Sequence, residues 1–200
     1  MDYEIIEKKR VFDKFIKIDE VKLKREKFRD NKFEEITRYH IARPKAVGVL
    51  LENVASQQIV LVEQFRYASL AKPTGNGWTI EILAGLVDAG ESPLEAARRE
   101  VFEESGYQID QLVPIFTYFT SIGISDEQIY LFYAQITDSD KSGLGGGLEH
   151  QNEDLRIVEM DYSSLTSKIM NGEINDGKTI IAAQWLALKR LNDKQLVRKS

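Results

Sequence analysis

Glu100, Glu103 and Glu104 stand at i, i+3 and i+4, a spacing that on a 3.6-residue period places three carboxylates within about one helical turn. Like charges so placed repel by a few tenths of a kcal/mol per pair. A helix that stops at Gly106 would add the partial negative charge of its C-terminal end to that repulsion. A divalent cation reverses the sign of all these interactions. Glutamate oxygens are hard donors suited to Mg²⁺ or Mn²⁺, and carboxylate-held Mg²⁺ completes its shell with water and substrate phosphates. The pattern points to phosphate chemistry, against the plainer alternative of a solvated acidic face with Arg99 as its counter-charge.

The element that must carry these side chains is sharply punctuated. Ser92 is a preferred N-cap, Pro93 suits the first helical position, and Glu95 completes a Ser-x-x-Glu capping box. Gly106 takes the left-handed conformation that ends a helix. The spacing therefore predicts a helix over 93–105, with Leu94, Ala97 and Val101 as its apolar stripe and the glutamates on a neighbouring face.

Gly85, Glu91 and the run Arg99-Glu100-Val101-Phe102-Glu103-Glu104-Ser105-Gly106 have the spacing of the Nudix box, which this stretch resembles. At average residue usage, seven specified identities at fixed spacing arise by accident on the order of once in 10⁸ to 10⁹ starts. Tyr107 departs from the aliphatic residue of that pattern, and tyrosine fills an apolar slot only if its hydroxyl finds a partner. The resemblance extends through VLVEQFRYA, EILAGLVDAGE, SIGISDE, GGGLEHQNEDLRIVEM and NGEINDGKTIIAAQWLAL. These stretches are similar to the ADP-ribose and nucleoside diphosphate sugar pyrophosphatase branch. The last two also resemble GDP-mannose pyrophosphatases, through Gly145 to Gly147 and Asp176 to Thr179.

The resemblance implies roles for matching positions. Glu100 and Glu104 are the expected principal metal ligands, with the main-chain carbonyl of Ala84, and Glu103 either ligates or orients a coordinated water. Arg99 holds the carboxylates by charge-assisted bonds. A further acid from a mobile loop closes over the metals, and Glu153 stands there. The usual base position two residues earlier holds Gln151, which takes no proton at neutral pH, so Glu153 is the first choice of base, with Glu149 and Glu127 behind it. Gly143, Gly145, Gly146 and Gly147 suit a loop that moves. Ile122 stands where the ADP-ribose branch has proline, which weakens ADP-ribose as sole substrate, and Glu127 is a candidate for sugar hydroxyls.

Net charge is −5, from 32 acidic and 27 basic residues, so a general nucleic-acid role has no electrostatic support. A diphosphate still needs cations. Arg66, closing an apolar strand before a loop, is the best-placed candidate for a bidentate phosphate contact; the resemblance implies Arg38 as a second, from this subunit or its partner, and Gly85 completes the expected substrate set. There is no cysteine, hence no disulfide, thiol nucleophile or thiolate site. With only His40 and His150, a histidine triad or zinc centre is poorly supported. No signal-peptide stretch or membrane-length apolar run is evident, and the expected location is cytoplasmic.

Residues 1–43 read as alternating, charged strands, a β subdomain for dimerisation or substrate contact in which Phe15 and Tyr39 either stack on a base or fill a core. Residues 44–200 read as the hydrolase domain, with strands and helices intermixed by hairpin-length links. The fold class expected is α/β, an α/β/α sandwich with a mixed sheet and an N-terminal antiparallel β subdomain. The expected activity is Mg²⁺-dependent hydrolysis (Mn²⁺ as the alternative) of nucleoside diphosphate sugars such as ADP-ribose or GDP-mannose, by a homodimer. Two alternatives stand beside it: a dinucleoside polyphosphate or nucleoside triphosphate pyrophosphohydrolase, and a non-catalytic nucleotide-sugar sensor suggested by Gln151.

Overall fold

The structure, a computed structural model, describes residues 1–71, 75–149 and 153–197, with side chains to residue 193. Two compact units emerge, one of Met1–Lys45 with Tyr118–Ile129 and one of Ala46–Thr117 with Tyr130–Ser200. In the first, β1 (Tyr3–Asp13), β2 (Lys17–Glu26) and β3 (Phe33–Ala42) form an antiparallel sheet in that order. A third strand thus joins the hairpin, because β1 pairs along β2 through two register shifts. Asp19 is 1% exposed beneath Lys8 and Arg10. Its hydrogen bond from Arg10 holds the carboxyl down at about 2. The returning segment docks on the same unit through a bridge between Ile41 and Ser125 and a bond from the Arg43 N–H to Asp126 Oδ1 of 2.8 Å.

The second unit is built on a larger, mixed sheet. β4 (Ala46–Asn53) and β5 (Gln58–Phe65) pair antiparallel only near their turn, at Leu51–Asn53 with Gln58–Val60. Beyond it they separate, and the chain from 78 to 86 fills the fork. β6 (Trp78–Glu81) pairs with β5, and β7 (Leu83–Leu86) pairs with β4. Ile82 joins the two, its N–H donating to the buried Thr179 Oγ1 at 2.9 Å. β8 (Val113–Phe119), β9 (Gln128–Ile136) and β10 (Arg156–Asp161) complete the order β10-β5-β4-β9-β8.

Side chains of alternate parity bury on both faces of the central strands, as expected when helices cover both. One face packs Val47, Val49, Leu51, Val60, Val62 and Leu83 against α1 (Pro93–Ser105). The other carries Leu50, Ile59 and Leu61, with α2 (Tyr162–Met170) and α3 (Gly177–Val197) over the same sheet. Tyr133 of β9 lies against Trp185 of α3, and the Glu52 carboxylate receives bonds from Tyr133 and Arg190. No helix among the described residues is long and apolar enough to cross a membrane.

α1 has the bounds its punctuation predicts. Ser92 accepts from the Glu95 N–H, Glu95 returns the bond to the Ser92 N–H at 2.8 Å, and Gly106 takes φ 76°. Its buried face is shifted from expectation. Ala96, Ala97 and Val101 are buried, but Leu94 stays 43% exposed at the helix start, and Glu100 and Glu104 are buried instead.

A second polar knot lies inside this unit. Glu81, 4% exposed, takes both Arg66 Nε and Nη2, at 3.0 and 3.1 Å, and also the Lys178 ammonium. Asp176 caps α3 through the Thr179 N–H at 3.0 Å and touches Lys178 at 3.1 Å. Burial pushes the Glu81 carboxyl up, but the bond from Arg66 and the Lys178 charge outweigh it and hold the group at about 2.

Leu83 is fully buried, so Leu83→Ala is expected to lower unfolding free energy by about 2–5 kcal/mol, read from urea midpoints. The Glu81 knot gives a pH prediction. A carboxyl held below its unfolded value of 4.5 contributes stability above that pH, and the contribution disappears as pH falls towards 2. Glu81→Gln, which strands two cations, is expected to cost about 3–5 kcal/mol at neutral pH and to flatten the acid limb of a stability–pH curve.

Candidate active site

The last two turns of α1 lie against β7. Glu100 and Glu104 are 6% and 3% exposed, while Glu103 and Arg99 are half-buried. The approach is close: a Cβ added at Gly85 would stand 2.0 Å from the Glu100 carboxyl carbon, so any side chain there would displace that carboxylate. Glu104 Oε2 accepts the Ala84 N–H at 2.9 Å. Arg99 binds the rest of the cluster: Nη1 reaches Glu100 Oε1 at 2.8 Å and Glu103 Oε2 at 3.1 Å, and its other face holds Glu91 at 2.9–3.0 Å. Its Nη2 also donates to the Leu86 carbonyl at 2.9 Å. One guanidinium therefore spans three carboxylates and the strand they face.

Burial pushes the Glu100 carboxyl up to about 7 even though Arg99 bonds to it, and the Glu103 and Glu153 charges add to the rise. Burial likewise raises Glu104 well above the ordinary carboxylate range, against the pull of the Ala84 N–H and with Glu100 and Glu153 adding. The hydrogen bond to Glu91 raises Arg99 further. Glu153 thus belongs to the same electrostatic cluster. Its Oε2 accepts the Leu148 N–H, and its own N–H donates to the Leu148 carbonyl, both at 3.2 Å.

Among the described residues no three acidic or histidine side chains are gathered as a ready-made metal cage. Arg99 draws Glu100 and Glu103 to itself while the Ala84 N–H holds Glu104, so the oxygens face separate partners. The donor set fits a hard divalent cation all the same. It is all oxygen, it includes two desolvated carboxylates that burial drives towards protonation, and it surrounds a backbone segment kept bare at Gly85. A cation that displaces the protons would relieve that cost.

The remaining expected residues lie in varied places. Arg66 is held bidentate by Glu81, and although burial works against the guanidinium, that bond raises it. Glu104 feels Lys178 as a favourable charge, and Arg66 feels Glu104, so both cations of the Glu81 knot act on the glutamate cluster. Glu81 and Lys178 are not among the residues to which the sequence points. Their only signal was the Asp-Gly-Lys-Thr helix start, since Lys178 reaches Glu81 across a separation of 97 residues.

Arg38 and Glu127 belong to the other unit. Arg38 is exposed and donates to the Thr37 carbonyl at 3.0 Å, whereas Glu127 binds Arg43 at 3.1 Å and Thr120 at 2.9 Å. Phe15 is 87% exposed, and Tyr39 donates to Glu20 at 2.8 Å. His40 Nε2 lies 3.1 Å from Asp126. Glu149 is exposed; Gln151 and His150 lie outside the described residues. Tyr107 is 3% exposed in the core, and Asn53 supplies its hydroxyl with the partner it needs.

Residues 42–199 match the NUDIX domain. Over 151 residues the chain is 35% identical to a GDP-mannose pyrophosphatase of Escherichia coli O1:K1 / APEC, covering 76% of this chain and 78% of that one. A GDP-mannose pyrophosphatase of Shigella flexneri serotype 5b is 34% identical over the same shares. Among solved structures, that of an ADP compounds hydrolase superposes with a TM-score of 0.74 over 96% of both chains at 17% identity, a likeness of fold. With the family match running across most of its length and the box residues gathered where α1 meets β7, the chain belongs to the Nudix family.

Proposed function

We propose that this protein hydrolyses the pyrophosphate bond of nucleoside diphosphate sugars, giving a nucleoside monophosphate and a sugar phosphate. The observation that carries the reading is the pair of buried carboxylates, Glu100 and Glu104, set against the bare backbone of Ala84 and Gly85. Family membership and the GDP-mannose pyrophosphatase relatives support the substrate class.

Glu100, Glu104 and Glu153, with the Ala84 carbonyl, are the ligands for divalent ions, Mg²⁺ first and Mn²⁺ second. When bound, such ions supply charge neutralisation and polarisation of the diphosphate. The side chains do the rest. Arg99 keeps Glu100 and Glu103 from separating under their mutual repulsion. Arg66 and Lys178 bring positive charge beside Glu104 and, sharing Glu81 as counter-ion, are placed to meet phosphate oxygens. Glu153 takes the proton from water as its oxygen attacks one phosphorus and the bridging P–O bond breaks. Water gives its oxygen to one product and the leaving phosphate keeps the bridging oxygen.

The segment 1–43 serves as the dimerisation and substrate-contact subdomain of a cytoplasmic homodimer, with Arg38 and Glu127 as contacts to the nucleotide sugar. Its charged strands and widely exposed apolar side chains on β1 support that part of the reading.

Incubation with ADP-ribose, GDP-mannose, UDP-glucose and ADP-glucose under Mg²⁺, with products resolved by anion exchange, is expected to yield monophosphates. Tight binding with no product would favour a sensor, and turnover confined to dinucleoside polyphosphates or triphosphates would move the substrate class. Outer-shell substitutions at metal sites cost 10–100-fold, so Glu104→Gln, as loss of a direct ligand, is expected to lower turnover by more than about 100-fold while circular dichroism stays unchanged.

A further inference from the structure

The glycine-rich loop after β9, expected as a moving cover, is tied to the end of α1 by backbone hydrogen bonds. Helices leave their last carbonyls without intrahelical donors. In α1 three of these belong to Phe102, Glu103 and Glu104. The Phe102 carbonyl is taken by the Gly106 N–H at 2.9 Å, the Glu104 carbonyl by the Gly146 N–H at 2.9 Å, and the Glu103 carbonyl by the Gly147 N–H at 3.1 Å. The loop is fixed on both sides of these bonds. Ser142 and Gly143 donate to the Gly106 carbonyl at 2.9 Å, and Leu155 donates to the Gly146 carbonyl at 3.1 Å.

We infer that Gly145, Gly146 and Gly147 are positioning residues: their backbone clamps the C-terminal end of α1 and so sets the distance between Glu153 and the Glu100–Glu104 pair. This rests on the hydrolase reading above. Three features carry it. First, the two donated N–H groups end on the carbonyls of Glu103 and Glu104 themselves, so backbone and side chain of the same residues are held at once. Second, the three glycines take φ of 69°, 100° and 82°, a left-handed run that residues with a Cβ avoid. Third, there is no room for a side chain at either end. A Cβ at 145 would stand 2.6 Å from the Ser105 carbonyl carbon and 2.7 Å from the Glu104 carbonyl oxygen. At 147 it would stand 2.8 Å from Glu153 Cβ and 3.2 Å from its carboxylate oxygen. The N–H groups also place partial positive charge at the negative end of the helix, where the carboxylates crowd.

The test compares Gly145→Ala and Gly147→Ala with Gly172→Ala. Gly172 has φ 82° and open space around its Cβ position, so its alanine variant carries the same backbone strain away from α1. Turnover under Mg²⁺ is expected to fall by about 100-fold at 145 and 147, the scale of a misplaced catalytic group, and Gly172→Ala to stay within about 2-fold of the parent. KM is expected to move by less than about 3-fold, since alignment and not ground-state binding is lost. Two readouts do not use turnover: Mn²⁺ affinity by electron paramagnetic resonance, expected to weaken at 145 and 147 only, and amide exchange in the parent protein, expected to be slow at Gly146 and Gly147. Exchange at free-loop rates, or losses at 145 and 147 no greater than at 172, overturns the inference. Should the parent protein hydrolyse no diphosphate, the hydrolase reading fails, and the exchange and Mn²⁺ data still decide the clamp.

Discussion

Carboxylates pressed together at the negative end of a helix repel one another and the helix, and burial makes both effects larger. In this protein Glu100 and Glu104 are buried at that end, and most of the second unit's local design offsets the cost. Arg99 spans Glu91, Glu100 and Glu103, the Ala84 N–H meets Glu104, and glycine N–H groups meet the helix carbonyls. The offset is incomplete, since both carboxyls still sit above their ordinary range. A residual penalty of this sign is what a cation-binding site stores before its ion arrives.

The same logic separates the two families of positive charge. Arg99 is committed to the glutamates by four hydrogen bonds and to the Leu86 carbonyl by a fifth. Arg66 and Lys178 are committed to Glu81, a residue outside the cluster, and reach the glutamates only through their field. Cations whose counter-ion is a separate carboxylate remain available to an anionic ligand without loosening the contacts of Glu100, Glu103 and Glu104. Glu81 thereby keeps two like charges side by side, the Lys178 ammonium largely buried and the Arg66 guanidinium partly open to solvent.

Much of this was legible in the chain because it is encoded locally. Ser92, Pro93, Glu95 and Gly106 bound α1 correctly because caps act within a few residues of themselves, and the triad of glutamates follows from helical spacing alone. The strand segments after residue 43 likewise follow from short apolar runs. What escaped depends on partners far apart in sequence. Arg66 reads as a candidate phosphate contact, but its hold by Glu81 and the Lys178 beside them come from residues that nothing local to Arg66 signals. Leu94 read as core by period, but the helix turns its buried face far enough to take in Glu100 and Glu104. The glycines read as freedom to move, whereas their left-handed backbone and bare α-carbons also allow a tight fit against α1, two uses that composition alone does not separate.

The fork between β4 and β5 has one more implication. The wedge of chain from 78 to 86 presents Ala84 and Gly85 to α1, while its midpoint, Ile82, hangs from the Thr179 hydroxyl in the first turn of α3. Two helices over one sheet thus meet at a single splice, so the start of the C-terminal helix works like a tuning peg for a string anchored on the far side. Sequence drift there can retune the backbone of Ala84 and Gly85 without altering Glu100 or Glu104.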